Sequence, residues 1–190
     1  YSSKGVLCRT DGTILAEGSD NPLIIYPGTP GFTNAGTLRA VGPAGLELKS
    51  GTVTNTGHTI EVAAGSVVEI NDVVFVGGRL AALGDGSGRI LAGSSSEFDA
   101  VTIDAGTTVD QANGNSVDIV GGLVNHGTWK MNAISASAAA TSLRFTGSQT
   151  LGGSGEIVMS DDPHNYLRVG GSADILTHAA GHTLRGAGTL

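Results

Sequence analysis

The stretch Phe32-Thr-Asn-Ala-Gly-Thr-Leu-Arg-Ala40 decides the fold, because a close copy follows it as Val53-Thr-Asn-Thr-Gly-His-Thr-Ile-Glu-Val62, offset by 21 positions. In each copy an Asn-x-Gly turn leads into a short run in which apolar and polar residues alternate. Self-similarity at a period of about 20 to 50 residues is typical of proteins built from stacked structural repeats. The sequence therefore predicts an architecture, and it contains no catalytic or cofactor motif that would predict a chemistry.

Turn glycines carry this pattern along the whole chain: Gly12, Gly36, Gly57, Gly78, Gly106, Gly127, Gly155 and Gly188. Successive members are 24, 21, 21, 28, 21, 28 and 33 positions apart, which makes 21 the base period. An amide or acid side chain precedes four of these glycines by two positions: Asn34, Asn55, Asp104 and Asn125. Because Asn tolerates the left-handed backbone region and bonds to its own backbone, we interpret these residues as a structural turn ladder. Stacked amides in successive coils would also hydrogen-bond along the long axis.

Each interval contains three short runs with the period-2 alternation of β-strands. The second interval, for example, holds Thr37-Leu-Arg-Ala-Val41, Gly45-Leu-Glu-Leu-Lys49 and Thr52-Val-Thr-Asn55. Three strands and three turns form one coil of a single-stranded parallel β-helix, so we predict an all-β solenoid of about 7–8 coils of 21–33 residues. The inward side chains predicted for two coils are Leu38, Leu46, Leu48, Val53, Ile60, Val62, Val68 and Ile70. Aromatic residues make up only 4% of the chain, so we expect a core of Val, Ile, Leu and Ala.

The repeats predict one continuous domain over residues 32–190, preceded by an irregular first coil or the edge of a cap over residues 1–31. Sandwiches and up-and-down barrels also contain short strands, but they do not repeat one turn tripeptide at multiples of seven residues. The run from Ala133 to Leu143 is the one candidate for a helix, and we interpret it as a loop, with room for one helical turn, that bulges from the longer coil between Gly127 and Gly155. The chain starts without Met and stops inside the repeat motif, so we expect a fragment of a longer chain.

The composition argues against several classes of function. The net charge is −7 and the ten Lys and Arg residues are scattered singly, so no nucleic-acid partner is expected. A single cysteine, Cys8, cannot form a disulfide framework or a multi-cysteine metal site. No apolar run reaches the roughly 20 residues of a membrane helix, so we expect no membrane insertion of this segment. The five histidines show no metal-binding spacing, and we predict no cofactor.

Asp161, Asp162, His164 and Tyr166 are the candidates for a ligand-binding site, because they lie in the longest interval, between Gly155 and Gly188. Compared with the base period, this interval would leave roughly 12 residues projecting from the coil, and long excursions from a rigid scaffold often carry binding surfaces. These side chains could hold a cation or act in acid–base chemistry, whereas the simpler interpretation is a solvated turn closed by Asp-Asp-Pro. We assign no catalytic residue and no metal site from the sequence.

The turn tripeptides resemble those of the repetitive passenger regions of bacterial autotransporters and of filamentous-haemagglutinin-like large exoproteins. The matching text includes Leu-Val-Asn-His-Gly-Thr at 123–128 and Gln-Thr-Leu-Gly-Gly-Ser-Gly-Glu-Ile at 149–157, and the likeness covers residues 32 to 190. The resemblance implies a right-handed parallel β-helix on the cell surface or in the medium, with adhesion or display as its usual role. It transfers no functional residue.

Three functions are open at this point. The first is a non-enzymatic structural or adhesive segment of a secreted or cell-surface bacterial protein, such as the shaft of a fibre or filament. Its expected partners are copies of itself, by self-association or end-to-end stacking, and a host surface or polysaccharide. The second is a carbohydrate-active β-helix, a lyase or hydrolase of acidic polysaccharides. The acidic and basic residues available to it are Asp99, Asp104, Asp110, Asp118, Arg39, Arg79, Lys130 and Arg168. The third is a phage tail-fibre shaft, which would require trimers.

Overall fold

The three-strand repeat folds into a stack of coils. The structure, a computed structural model, describes residues 8–134 and 139–190. These two ranges contain twenty strands and no helix, and strands of neighbouring coils pair in parallel. The coils form a β-solenoid of about seven turns, which confirms the predicted all-β parallel β-helix.

Each coil runs through three faces in the same order, which we call face A, face B and face C. Face A contains β2 (Thr13–Ala16), β5 (Thr37–Ala40), β7 (Thr59–Val62), β9 (Arg79–Ala82), the C-terminal parts of β11 (Ser96–Ile103) and β13 (Ser116–Asn125), β16 (Gln149–Gly152) and β19 (Leu176–His178). Face B contains β3 (Leu23–Ile25), the N-terminal parts of β6 (Leu46–Thr54) and β8 (Val67–Val76), β10 (Arg89–Ala92), β12 (Thr108–Gln111), β14 (Thr128–Met131), β17 (Glu156–Met159) and β20 (Thr183–Arg185). Face C contains β1 (Cys8–Thr10), β4 (Gly28–Asn34), the C-terminal parts of β6 and β8, the N-terminal parts of β11 and β13, β15 (Thr141–Phe145) and β18 (Asn165–Val169).

Apolar side chains from all three faces meet along the axis. The eight inward residues predicted from the alternation, from Leu38 to Ile70, are all buried, with at most 1% of their surface exposed. Each stacks on its counterpart in the next coil, as Leu46 does on Val68. The period-2 pattern therefore identified the inner side of every strand in these two coils.

The expectation of a purely aliphatic core is wrong. The largest fully buried side chains are aromatic: Trp129, Phe32, Phe75, Phe98 and Phe145. The rings of Phe75 and Phe98 lie 6.0 Å apart between centroids, and those of Phe98 and Trp129 lie 5.4 Å apart, nearly edge to face. Aromatic pairs in such geometries add about 0.5–1.5 kcal/mol beyond the burial of their area. A small aromatic fraction can therefore still dominate a narrow core.

The predicted glycine ladder changes corner twice. The first members lead into face A: Gly12, Gly36, Gly57 and Gly78. The next three lead into face B: Gly106, Gly127 and Gly155. Gly188 leads to Thr189, which bridges to Tyr166 on face C. Two of the long intervals, from Gly78 to Gly106 and from Gly155 to Gly188, therefore join different corners. Their lengths are not the lengths of coils.

Strand register defines the true coils. The step from one coil to the next is shortest between Arg89 and Thr108, and it is longest between Thr128 and Glu156 and, equally, between Leu123 and Leu151. Glu156 pairs with Thr183, so the coil within the last interval is slightly shorter than the step from Thr128 to Glu156. The predicted projection from this coil is therefore wrong, because the distance from Gly155 to Gly188 exceeds the length of the coil itself.

The two segments expected to be irregular both contribute strands. In residues 8–31, β1, β2 and β3 begin, and they pair in register with β4, β5 and β6. The loop predicted from Ala133 to Leu143 lies in the long coil that runs from Thr128 to Glu156, and its last three residues begin β15. Residues 135–138 of this loop lie outside the described ranges, so a helical turn there stays a prediction.

Two different physical demands explain the turn glycines. Gly57 has a φ of +78°, a conformation that glycine adopts without strain. Gly127 lacks such a φ, but a Cβ there would collide with the backbone oxygens of Thr107 and Asp104 in the coil below. The ladder asparagines do not adopt the left-handed conformation, so that part of the prediction is wrong. Among the described non-glycine residues, a positive φ occurs at Ser50, Asp72, Ser95 and Ala100.

Candidate functional site

The segment from Asp161 to Tyr166 forms a tight corner between faces B and C. β17 ends at Met159 and β18 begins at Asn165, so residues 160–164 alone connect the two strands. The backbone N–H of Asp162 donates to the carbonyl oxygen of Ser160, 2.8 Å away. The predicted ligand-binding residues therefore lie on the wall of the solenoid and not on a projecting loop.

Asp162 closes this corner with its own side chain. The residue is 3% exposed, and its Oδ1 accepts a hydrogen bond from the backbone N–H of His164 at 2.8 Å. The same oxygen lies 2.7 Å from His164 Nδ1, which therefore carries a hydrogen and donates it. A carboxylate that accepts from the backbone two residues later is the usual arrangement of an Asp turn. Asp161, next to it, is exposed.

Tyr166 belongs to a different contact. Its ring lies 4.4 Å below the guanidinium carbon of Arg168, on face C, in a cation–π arrangement. The structure thus brings Asp162 and His164 together and pairs Tyr166 with Arg168 instead. Ligand binding by these residues and by Asp161 stays a prediction.

Asn165 is the polar residue of this corner that the sequence analysis missed. It is fully buried, and its amide nitrogen donates to the carbonyl oxygens of Ser160 at 3.0 Å, Asp162 at 3.2 Å and Ala187 at 3.1 Å. Its Oδ1 accepts from the backbone N–H of Ala133 at 3.3 Å. The side chain therefore ties three coils together. Its position at the start of β18, directly before Tyr166-Leu-Arg-Val169, was the available signal.

The predicted turn ladder contains one true amide stack. Asn34 Nδ2 donates to Asn55 Oδ1 at 2.7 Å between neighbouring coils, which confirms the expected axial bonding for this pair. Asn125 bonds differently: its Nδ2 donates to the Glu156 carbonyl oxygen at 2.9 Å, and its Oδ1 accepts from the Gly127 N–H at 3.0 Å. Asp104, which has no amide, instead forms an ion pair with Arg79 of the preceding coil.

Asn125 also begins a hydrogen-bonded chain through a pair of histidines, His182 and His178, and the sequence did not predict this chain. His182 is 6% exposed, and its Nε2 lies 3.1 Å from Asn125 Nδ2. The two backbone bonds of Asn125 fix the orientation of its amide, so Nε2 of His182 must accept. Nδ1 of His182 therefore carries the hydrogen and donates it to His178 Nε2, 3.0 Å away. His182 follows Asn125 by 57 residues in the chain, so only the coil register brings the two side chains together.

The surroundings of His182 favour its neutral form. Burial, with a smaller contribution from the charge of His178, lowers the pKa of His182 from 6.5 to about 4. The carboxylate of Glu156 acts in the opposite direction but is itself engaged by Arg185, at 2.7 Å. This ion pair lowers the pKa of Glu156 below its usual value. The ring of His182 is therefore neutral at neutral pH.

The acidic residues considered for an enzyme do not converge on one face. Asp99 and Asp118 lie on face C and Asp110 lies on face B, while Asp104 follows the last residue of β11 on face A. Most of the arginines join a carboxylate in a neighbouring coil: Arg39 with Glu61, Arg79 with Asp104, Arg89 with Asp110, Arg144 with Asp118, and Arg185 with Glu156. The pairs therefore run along the axis of the solenoid, from coil to coil.

One groove combines acidic, basic and amide side chains. It has a volume of about 350 Å³ on face B and is lined by Glu69, Arg89 and Asp110 together with the amides of Asn113, Asn115 and Asn132. Arg89 Nε donates to Asp110 Oδ2 at 2.7 Å, so one carboxylate of the groove is already paired. The backbone N–H of Ile134 donates to Asn113 Oδ1 at 2.8 Å, and Asn115 Nδ2 donates to the Ala92 carbonyl oxygen at 3.1 Å.

A second groove, of about 530 Å³, follows the corner between faces C and A. Small and hydroxyl-bearing residues line it, including Gly121, Gly122, Gly152, Thr102 and Thr150. Gln149 spans the corner, because its Nε2 donates to the Ile119 carbonyl oxygen and its Oε1 accepts from the Gly122 N–H. Among the described residues no ionisable side chain lines this groove, so its walls provide hydroxyl groups, an amide and apolar surface.

Within residues 8–134 and 139–190, no group of three or more His, Cys, Asp and Glu side chains is arranged to hold a metal ion. None of these residues belongs to a helix with the length and apolar character that crossing a bilayer demands. Comparisons with protein-family models, with curated proteins and with solved structures found no match for this chain.

Proposed function

We propose that this chain is a structural and adhesive shaft, a segment of a secreted or cell-surface bacterial protein that displays or attaches and does not catalyse. The observation that supports this function best is the axial use of its charged and amide side chains. The ion pairs of five arginines and the Asn34–Asn55 contact all join one coil to another. These groups stiffen a stack, and they are then not free to converge on a substrate.

The energetic weight of these contacts is unequal. Exposed ion pairs contribute about 0–1 kcal/mol each, so the arginine pairs fix register more than they add stability. The buried amides matter more, since an unpaired buried polar group costs about 1–3 kcal/mol. A stack held in register by both kinds of contact suits a rod that must keep its shape under load.

The expected partners follow from the architecture. Every coil presents a parallel strand edge to the next, so the edge of one copy is complementary to the opposite edge of another, which favours end-to-end stacking. Attachment to a host surface or a polysaccharide would use the long outer faces. An extracellular or cell-surface location goes with this role.

A second candidate function is supported by the groove on face B. Glu69 and Asp110 supply carboxylates, and Arg89 supplies the positive charge that an acidic polysaccharide would need. A lyase or hydrolase would require a free base or acid here. The pairing of Asp110 with Arg89 argues against it, because it leaves Glu69 as the one acidic group of the groove without an ion pair among the described residues.

One experiment separates the two functions. The purified chain is incubated with polygalacturonate and alginate, and chain cleavage is followed through new reducing ends and unsaturated uronates. In parallel, beads coated with the chain are tested for retention on the same polymers and on host-cell layers. The shaft function predicts no cleavage, and its adhesive part predicts retention above that of beads carrying the heat-denatured chain. Cleavage that disappears in Glu69→Gln would replace the shaft with the enzyme.

A further inference from the structure

A stripe of charged side chains runs along face C, and we call it the charge stripe. Its four members lie in register on successive coils: Glu97, Asp118, Arg144 and Arg168. They point away from the core, because the residues that follow the first three in their strands, Phe98, Ile119 and Phe145, are fully buried. Two acids are followed by two bases, so the charge stripe has a negative half and a positive half.

Only the centre of the charge stripe is neutralised within the chain. Arg144 donates two hydrogen bonds to Asp118, at 2.7 Å from Nε and 2.5 Å from Nη2. Among the described residues, Glu97 has no ion-pair partner, and Arg168 makes no ion pair but lies over the ring of Tyr166. Each outer charge also stands directly beside a like charge of the next coil, an arrangement that destabilises a sheet. The chain therefore maintains two unfavourable contacts without supplying their counter-charges.

We propose that the charge stripe is the contact surface of a homodimer in which two copies lie side by side, antiparallel, on face C. A two-fold axis in the plane between the two copies, parallel to the strands and midway between Asp118 and Arg144, reverses the order of the stripe on the second copy. Glu97 then faces the partner's Arg168, and Arg168 faces the partner's Glu97. Two-fold symmetry is by far the commonest arrangement of homo-oligomers, and it requires such a self-complementary surface. A sequence of two acids and two bases is self-complementary in this sense.

The same axis keeps the strand direction common to both copies. Ser116 comes two residues before Asp118 and Ser142 two residues before Arg144, so the axis sets Ser116 opposite the partner's Ser142. Both side chains are short enough to let two sheet faces approach.

The dimer is expected to be weak. Four coils about 4.8 Å apart and five residues at about 3.3 Å each define a patch of roughly 300 Å² on each copy. A stable complex buries about 800 Å² on each partner, so the dissociation constant should lie in the high-micromolar range or above. Salt should weaken the contact, because the Debye length is only about 8 Å at physiological ionic strength. Weak contacts of this kind suit molecules that are present in many copies on one surface.

This inference is independent of the proposed function, since a shaft requires no lateral pairing and an enzyme could equally dimerise. It is tested by charge reversal in the full chain, with Glu97→Arg, Arg168→Glu and the double variant. Glu97→Arg changes the net charge from −7 to −5 and Arg168→Glu changes it to −9. Neither residue forms an ion pair in the described chain, so both variants should fold, which circular dichroism checks.

Sedimentation equilibrium at low ionic strength and at roughly 0.15 M salt measures the dissociation constant of each protein. Each single variant should raise the dissociation constant at least tenfold. This holds although Glu97→Arg lowers the net negative charge, and with it the repulsion between copies, whereas Arg168→Glu increases both. The double variant restores both opposite-charge contacts and should return the constant to within about threefold of the original. Matched controls away from face C, Glu17→Arg and Lys130→Glu, should change it in the directions that net charge alone predicts.

Three results would overturn the proposal. The first is an unsubstituted chain that stays monomeric at about 1 mM protein at low salt, where a contact of this size should be populated. The second is single variants that dimerise as well as the unsubstituted chain. The third is a double variant as impaired as the singles, because lateral antiparallel pairing demands its rescue.

Discussion

The side-chain amide of Asn34 donates to the side-chain oxygen of Asn55, 2.7 Å away in the next coil, and neither residue is more than 1% exposed. Asn55 in turn donates to the His58 carbonyl oxygen at 3.0 Å, and Asn34 accepts from the Gly36 N–H at 3.2 Å. The two amides therefore form a short, buried polar chain that links two coils. A buried polar chain stabilises a fold only while each member keeps its partners.

Asn55→Ala should lower the free energy of unfolding by about 1–3 kcal/mol, because it leaves the buried Asn34 Nδ2 without its acceptor, while the His58 carbonyl oxygen keeps its bond from the Arg79 N–H. Denaturant unfolding followed by circular dichroism measures the change. The matched control is Asn21→Ala, at an exposed turn, which should stay within about 0.5 kcal/mol of the original. Equal losses of unfolding free energy in the two variants would show that the buried amide pair contributes no more to stability than an exposed turn residue does.

Ala100→Gly should stabilise the chain by about 0.5–1 kcal/mol. An alanine in the left-handed region costs about 1–2 kcal/mol, whereas the extra backbone entropy that a glycine loses on folding costs only about 0.5–1 kcal/mol. Ala100 has a φ of +54° at the corner between faces C and A, where the next coil uses Gly121 and Gly122. The midpoint of thermal unfolding should therefore rise. Ala81→Gly, in a strand of face A, is the control and should lower it.

These two sites mark the limits of what the sequence could predict. The alternation of Leu46, Val68 and their neighbours identified the core, because a strand that buries one side must repeat every two residues. The corner at Ala100 gave no signal, since alanine has no preference for a positive φ and is held there by the coils above and below. Local chemistry therefore predicts strands better than it predicts corners.

The candidate site was predicted less well for a related reason. A turn glycine marks a corner but not which corner, so aligning Gly155 with Gly188 created an excursion that the pairing of Glu156 with Thr183 removes. The contact between Asn125 and His182 depends on the same register. Single-sequence reasoning has no access to register once the length varies from coil to coil, as it does in this stack.

Acidification should destabilise the chain through His182. Its pKa is lowered from 6.5 to about 4 in the folded state, so the folded state binds fewer protons than the unfolded state between these values. The contribution of the neutral His182 ring to the free energy of unfolding is therefore complete above about pH 6.5. It is lost as the pH falls towards 4, by up to about 3 kcal/mol. His178, Glu156 and Arg185 are the ionisable groups that face or flank this ring.

The measurement compares unfolding free energies at about pH 7 and about pH 4.5 for the original chain and for His182→Gln. The variant should lose part of the difference between the two pH values, because glutamine does not titrate. Carboxylates titrate in both proteins and cancel in the comparison. The control Asn21→Ala, at an exposed turn, replaces a side chain that does not titrate and should retain the full pH dependence. An unchanged pH dependence in His182→Gln would show that His182 does not contribute to the loss of stability at low pH.

Deletion of residues 58–77 should give a folded solenoid that is shorter by one coil. The deletion joins Gly57 to Gly78, and the register of β7 with β9 lets Arg79 take the place of Thr59. On face B, Ile90 would then stack on Leu46 in place of Val68, since all three share one column. The rod should shorten by about 4.8 Å, and its strand content should fall only in proportion to its length.

The control for this deletion removes only residues 58–67, about half a coil. It shifts the following strands onto the wrong faces, so inward and outward positions no longer match and the stack cannot close. Small-angle scattering and circular dichroism should therefore find a compact rod for the full-coil deletion and a collapsed or unfolded chain for the half-coil deletion. If both deletions unfold the protein, the coil is not the unit of stability, and a shaft assembled from interchangeable coils would lose its physical basis.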